Sequence, residues 1–270
     1  MRTTQGELRS TGRQTRSSGF VTAWATALTV LLGLTFAGTT ALTIAMWATD
    51  PNYTHTNPVV DLAFLALGGI LVTVGVASQV RGGHVAGLQQ AVLALLAFSA
   101  AGWLGGRIEP FVGPILLLVA VAPLGALHPR HGRLLAAGEG VSRPLLALAL
   151  LAAVPAAVYA AGMLAQARGA GPSCFLGQCV QGDRLAEAAA LAVAVVLVAL
   201  LASLRTPGWS LPAWCAGVSA VVLGAASWAF PGEPGALAAW AAAATVFWGV
   251  AFVAVASIQG NTDARNLARL

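Results

Sequence analysis

Eight apolar runs, each about as long as a membrane-crossing helix, constrain the fold of this chain more than any other feature. A helix needs ~20 residues to cross a ~30 Å hydrocarbon layer at 1.5 Å per residue. Periodicity does not separate such runs from the buried helices of a soluble protein, but their number and length do. The predicted spans are 21–47, 59–80, 87–105, 111–127, 145–164, 185–204, 211–230 and 236–258. The sequence therefore predicts an all-α, polytopic integral membrane bundle of about eight transmembrane helices.

The composition supports a membrane protein and excludes some chemistry. Charged residues make up 9% of the chain and the mean hydropathy is +0.80, whereas a soluble domain has about 25% charged residues. All 14 basic residues are arginine, which excludes a lysine Schiff base and a phosphate-loop lysine. The arginines lie in loops and at the termini, where membrane topology explains the net charge of +5. We therefore expect the lipid bilayer as the partner, and no nucleic acid.

The distribution of arginine predicts the orientation of the chain. Residues 1–19 are polar and read as a disordered tail, and the run that follows is too long for a cleaved signal. An even number of spans puts both termini on one side, together with the polar linker 128–143 and the tail 259–270. Eleven of the 14 arginines then share that side, as the positive-inside rule requires of the cytoplasm. The prediction is a multi-pass protein of the plasma (inner) membrane with both termini cytoplasmic.

The linker divides the chain into two stretches, 20–127 and 144–258, that carry similar landmarks. Asp61 and Glu187 open the second span of each stretch, and Glu109-Pro110 and Glu233-Pro234 follow the third. The paired landmarks stand 124 to 126 residues apart, which is typical of a tandem repeat of two four-helix units. The alternative is that membrane physics alone enriches such residues at helix ends, and the first and fifth spans show no similarity.

Carboxylates near the starts of two spans are the candidate binding groups. Asp61 and Glu187 lie within about one turn of the apolar run, and ionisable groups in a span often mark a pathway or a site. If the two halves pack about a pseudo-twofold axis, these carboxylates face each other at the extracytoplasmic mouth. With Arg107 and Arg184 they form the predicted ligand site. One alternative is a local Arg184–Glu187 pair on one helix face. The other is that both carboxylates only stabilise their helices, by lying near the positive end of the helix dipole.

The cysteines and histidines predict a disulfide and no metal site. Cys174 and Cys179 fall on the extracytoplasmic side, where an oxidising compartment favours a disulfide. The alternatives are two free thiols or half of a metal site, which no second Cys pair or nearby His completes. Their spacing does not match the CxxC of oxidoreductases. Cys215 lies inside the seventh span and reads as a packing residue. No histidine falls in the middle of a span, and His128 with His131 lack a further ligand. We therefore predict no metal, no cofactor and no catalytic residue.

The sequence leaves three functions open. The first is a transporter-like or permease-like protein with a polar site at the extracytoplasmic mouth. The second is a non-catalytic membrane subunit or scaffold for a protein partner or a homo-oligomer, since the spans carry few polar groups. The third is a lipid-headgroup enzyme that uses the carboxylates. No nucleophile, metal or nucleotide motif supports an enzyme, and the duplication and the acidic pair favour the first.

Overall fold

The computed structural model describes residues 4–49, 57–80, 84–127, 138, 140–170 and 180–267. The helices within these ranges are α1 Thr4–Thr49, α2 Pro58–Ala77, α3 Val85–Gly105, α4 Ile108–Ala126, α5 Arg143–Gly169, α6 Val180–Ser203, α7 Ser210–Ala229 and α8 Ala239–Leu267. The described residues contain no β-strand. The predicted all-α bundle is confirmed.

All eight helices contain a stretch that is long and apolar enough to cross a membrane. Large apolar side chains on the outside of the bundle are exposed, among them Leu34 on α1, Val119 on α4, Val158 on α5 and Phe247 on α8. In water such a surface would be unfavourable, whereas lipid chains solvate it. The chain is therefore a multi-pass, membrane-embedded protein.

Two helix ends extend beyond the predicted spans. α1 begins at Thr4, so residues 4–19, which we expected to be a disordered tail, are helical. α8 likewise continues to Leu267, into the predicted tail 259–270. A helix that an apolar span has already nucleated gains one hydrogen bond for each residue added, and no proline interrupts either extension. The side of the membrane on which these ends lie remains a prediction.

The eight helices form a central group and a peripheral group. Between 56% and 83% of the span residues are buried in α2, α3, α6 and α7, against 17% to 28% in α1, α4, α5 and α8. The halves meet where α3 packs on α6 and α2 packs on α7. Thus the second and third helices of each half are central, and the first and fourth are peripheral.

A tryptophan also joins the first and fourth helices of each half, although it lies on the first helix in one half and on the fourth helix in the other. Trp24 Nε1 on α1 donates to the Ala120 carbonyl on α4 (2.9 Å). Trp248 Nε1 on α8 donates to the Leu148 carbonyl on α5 (2.8 Å). Because the two tryptophans lie on non-equivalent helices, these contacts do not bear on the two four-helix units, 20–127 and 144–258, which remain a prediction.

The end of the bundle where the two halves connect is here named the linker end. Ser142 N donates to the Ser203 carbonyl (2.8 Å), and Ser142 Oγ donates to Gln259 Oε1 on α8 (2.8 Å). Arg205 Nη2 lies 3.3 Å from Asp263 Oδ2. These contacts fasten the end of the linker to α6 and α8. The opposite end, where α2, α4 and α6 begin, is named the cluster end.

Candidate functional site

The N-terminus of α2 positions the first acidic side chain. Asn57 caps the helix, since its Oδ1 accepts from Val59 N (3.0 Å) and Val60 N (3.4 Å), and Pro58 suits the first helical position because it lacks an N–H. Asp61 therefore lies in the first turn of α2. α6 begins at the same end of the bundle, so Asp183 and Glu187 come one helical turn apart on one face of α6.

Arg184 joins the two carboxylates that the sequence analysis singled out. Its Nη1 donates to Glu187 Oε2 at 3.2 Å, as expected for residues three apart on a helix. Its Nε lies 3.8 Å from Asp61 Oδ1, across the interface between the halves. The guanidinium also stacks on Phe64 of α2, 4.8 Å from the ring centroid. The structure thus brings Asp61, Arg184 and Glu187 into contact.

Arg107 reaches the same helix from the turn between α3 and α4. Gly106 ends α3 in the left-handed region (φ 67°), where glycine pays no steric penalty. Arg107 then enters the bundle, where Nε lies 3.8 Å from Asp183 Oδ1 and Nη2 donates to the Ala167 carbonyl of α5. A Cβ at Gly182 would overlap this guanidinium. Arg107 therefore pairs with Asp183 and not with Asp61 or Glu187.

Asp183 was not among the predicted binding residues. Asp61 and Glu187 were preferred because they enter the apolar runs more deeply. Its position one turn before Glu187, beside Arg184, was the available signal. We name the five residues Asp61, Arg107, Asp183, Arg184 and Glu187 the charge cluster.

The charge cluster is largely removed from solvent and is not electrically balanced. The side chains of Asp61 and Glu187 are each 11% exposed, and that of Asp183 is 7% exposed. Three carboxylates face two guanidinium groups, and Asp61 Oδ2 and Asp183 Oδ1 are buried without a hydrogen-bond partner. Buried charge is costly unless it is fully paired. Protonation of one carboxylate would bring these charges into balance.

The second helix of each half, α2 or α6, contacts a turn of the opposite half. Asn57 Nδ2, at the start of α2, donates to the Pro234 carbonyl in the turn between α7 and α8 (2.5 Å). Asp183, at the start of α6, pairs with Arg107 in the turn between α3 and α4. Asn57 and Asp183 stand 126 residues apart, within the offset range of the landmark pairs. At the cluster end the halves thus make reciprocal contacts.

Other charged residues and the cysteines lie outside the charge cluster. Glu233 is exposed, and Arg168 Nε donates to the Leu104 carbonyl (2.6 Å). Cys174 and Cys179 lie outside the described residues, so their disulfide remains a prediction. Cys215 is a buried free thiol. Within the described ranges, no group of three or more His, Cys, Asp or Glu side chains is placed to hold a metal ion.

No protein-family model, curated protein or solved structure matches this chain.

Proposed function

We propose that this protein is a transporter-like membrane protein whose charge cluster is a polar site at the extracytoplasmic mouth of the bundle. One observation carries the proposal: Asp61 and Glu187, which open the second helices of the two halves, converge on Arg184 inside the protein. Transporters built from repeats place their sites where the repeats meet. Ionisable groups in spanning segments are expensive and mark pathways more often than packing sites.

The charge balance favours a cation or a proton at this site. The carboxylates outnumber the arginines, and Glu109 lies close enough to Asp183 to add negative charge. An anionic solute would meet net repulsion. The ion pairs Asp61–Arg184 and Asp183–Arg107 also connect the two halves at this end of the bundle. A cation that competes for the carboxylates would weaken both pairs and favour opening.

The orientation follows from the arginine distribution. The linker end carries Arg143 and Arg205 and is nearest to the arginine-rich linker, whereas the cluster end carries Arg107, Arg168 and Arg184. The positive-inside rule then puts the linker end in the cytoplasm of a plasma-membrane protein. The charge cluster would face the outside of the cell, the side on which an uptake system meets its solute.

The test is cation flux into liposomes that contain the purified protein and a trapped pH-sensitive dye. An imposed proton gradient should drive a dye response in the wild type. In Asp61→Asn and Glu187→Gln the response should fall to that of protein-free liposomes. Both variants should stay folded because Arg184 keeps one carboxylate partner in each.

Glu233→Gln is the matched control. It removes a carboxylate from the same end of the bundle, but Glu233 is exposed and lies outside the charge cluster, so flux should be retained. Equal loss in all three variants, or unchanged flux in Asp61→Asn and Glu187→Gln, would contradict a site at the charge cluster. A wild type without flux that co-purifies with a stoichiometric protein partner would instead favour the scaffold function.

A further inference from the structure

A second set of polar groups lies deeper in the bundle, where α3 and α7 meet α2. Gln90 on α3 and Ser219 on α7 are both 0% exposed. Gln90 Nε2 donates to the Leu71 carbonyl of α2 (2.7 Å), but Gln90 Oε1 and Ser219 Oγ are buried without hydrogen-bond partners. The Cys215 thiol lies beside Gln90, one turn from Ser219. We name Gln90, Cys215 and Ser219 the central polar site.

The central polar site is well separated from the charge cluster. Gln90 and Cys215 are each the sixth residue of their helix from the linker end, which is about 8 Å into the span at 1.5 Å per residue. Ser219 lies one turn deeper. Along α2, Leu71 is ten residues beyond Asp61, which corresponds to about 15 Å. The two sites are therefore distinct.

The helix next to the central polar site is irregular. Residues Leu65–Thr73 of α2 form a π-helix, and Thr73 Oγ1 donates to the carbonyl of Gly68, five residues earlier (2.8 Å). π-helical turns are rare and are often found at functional sites. Gln90 bonds to a carbonyl within this stretch. Irregular backbone inside a membrane protein is tolerated where it is buried in protein or lines a cavity.

The chemistry of the site selects a neutral partner. No carboxylate, Arg or Lys occurs in 65–77 of α2, 85–98 of α3, 191–203 of α6 or 210–223 of α7. An ion at this level would have no counter-charge and would pay its full desolvation cost. The unpartnered Gln90 Oε1 accepts only, and Ser219 Oγ can both accept and donate. A small neutral molecule with N–H or O–H groups satisfies both.

We propose that the central polar site binds a small neutral solute that donates hydrogen bonds to Gln90 Oε1 and Ser219 Oγ, at the interface between the two halves. The Gln90 side chain comes from the first half, and Cys215 and Ser219 come from the second. The site therefore forms or opens as the halves move relative to each other. This proposal does not require the charge cluster to function in transport.

Cys215 provides a built-in reporter for this site. The variant Cys174→Ser/Cys179→Ser leaves it as the single cysteine of the chain. The rate at which the small neutral reagent methyl methanethiosulfonate modifies Cys215 is measured by intact-protein mass spectrometry, in liposomes, with and without acetamide or glycerol. We expect modification of the folded protein, slowed by a factor of 1 + [L]/Kd, or about threefold at twice the Kd of a solute that binds.

Two variants test whether the slowing depends on the site. Ser219→Ala removes a single oxygen atom, and Gln90→Leu removes the amide; in both, Cys215 should still react, but neither solute should slow the reaction. The matched control is Ser99→Cys in a chain without the three native cysteines. Ser99 is also buried on α3, but its Oγ donates to the Leu95 carbonyl (3.0 Å), so a thiol there should stay unreactive.

Three results would overturn the proposal. One is a Cys215 that reacts only after denaturation, which would show a closed apolar core. Another is a reaction that neither acetamide nor glycerol slows, which would show water at the site and no solute. The third is slowing that persists in Ser219→Ala and Gln90→Leu. None of these measurements depends on flux, so failure here is distinct from failure of the proposed transport function.

Discussion

At the scale of single residues, Arg184 determines whether the charge cluster is stable. It is the shared partner of Asp61 and Glu187, and its own aromatic contact with Phe64 holds the guanidinium plane in place. Burying a charged pair gains little net free energy, but removing one member leaves the other without compensation. Arg184 therefore affects folding stability more strongly than either carboxylate does.

Replacement of Arg184 by Met should lower the free energy of unfolding by about 3–5 kcal/mol, because two buried carboxylates lose their partner. Adding Asp61→Asn and Glu187→Gln to that variant should restore most of the loss, since no uncompensated charge remains. The measurement is thermal unfolding in detergent. A triple variant no more stable than Arg184→Met alone would contradict the idea that charge compensation controls stability here.

The residues of the charge cluster were only partly accessible to sequence reasoning. The Arg184–Glu187 pair follows from helix spacing alone, and the structure contains it. The contact between Asp61 and Arg184 joins residues 123 positions apart, and no local rule predicts it. Gln90 and Ser219 were passed over, although an amide inside an apolar span was a visible signal. Their missing partners become apparent only when neighbouring helices are in place.

At the scale of helices, close backbone contact explains how α7 and α8 pack. A Cβ at Gly249 on α8 would lie 2.5 Å from the carbonyl oxygen of Gly217 on α7, and a Cβ at Gly217 would lie 2.8 Å from that of Gly249. Small residues that allow such approach are a general means of helix association in membranes, where no hydrophobic effect drives the helices together.

Gly249→Ala should lower the free energy of unfolding by about 1–3 kcal/mol, because its added methyl group meets backbone atoms that cannot move independently. Gly162→Ala on α5 is the matched control, since a Cβ there meets nothing within 4 Å. It should leave stability unchanged or raise it by up to about 1 kcal/mol through reduced chain entropy. Similar midpoints of unfolding for both variants would rule out the contact as the cause.

At the scale of the whole molecule, the arrangement of the helices unites the two proposed sites. Four central helices, two from each half, enclose both the charge cluster and the central polar site. A transporter that couples the movement of a cation to the movement of a neutral solute needs a site for each. The proposed cation site at one end and the proposed neutral-solute site deeper in the bundle meet this requirement. That combination depends on the proposed function, whereas each site is testable by itself.

The orientation of the molecule can be tested with its cysteines. In intact cells, a membrane-impermeant maleimide should label Cys174 and Cys179 only after reduction, because both are predicted to be extracytoplasmic and joined by a disulfide. A cysteine introduced by Arg269→Cys should be labelled only after permeabilisation. Labelling of that cysteine in intact cells would contradict the topology, and labelling of Cys174 and Cys179 without reductant would contradict the disulfide.

The sequence by itself determined that the chain is an all-α membrane protein with eight spans, because span length and hydropathy are local properties set by the thickness of the bilayer. It also offered the Arg184–Glu187 pair as the alternative to a ligand site, because that pair depends only on helical spacing. The tertiary structure alone decided which helices are central, which carboxylate joins Arg184 from the other half, and which buried polar atoms lack partners. These depend on contacts between distant segments, and in an apolar chain almost every helix face can pack equally well.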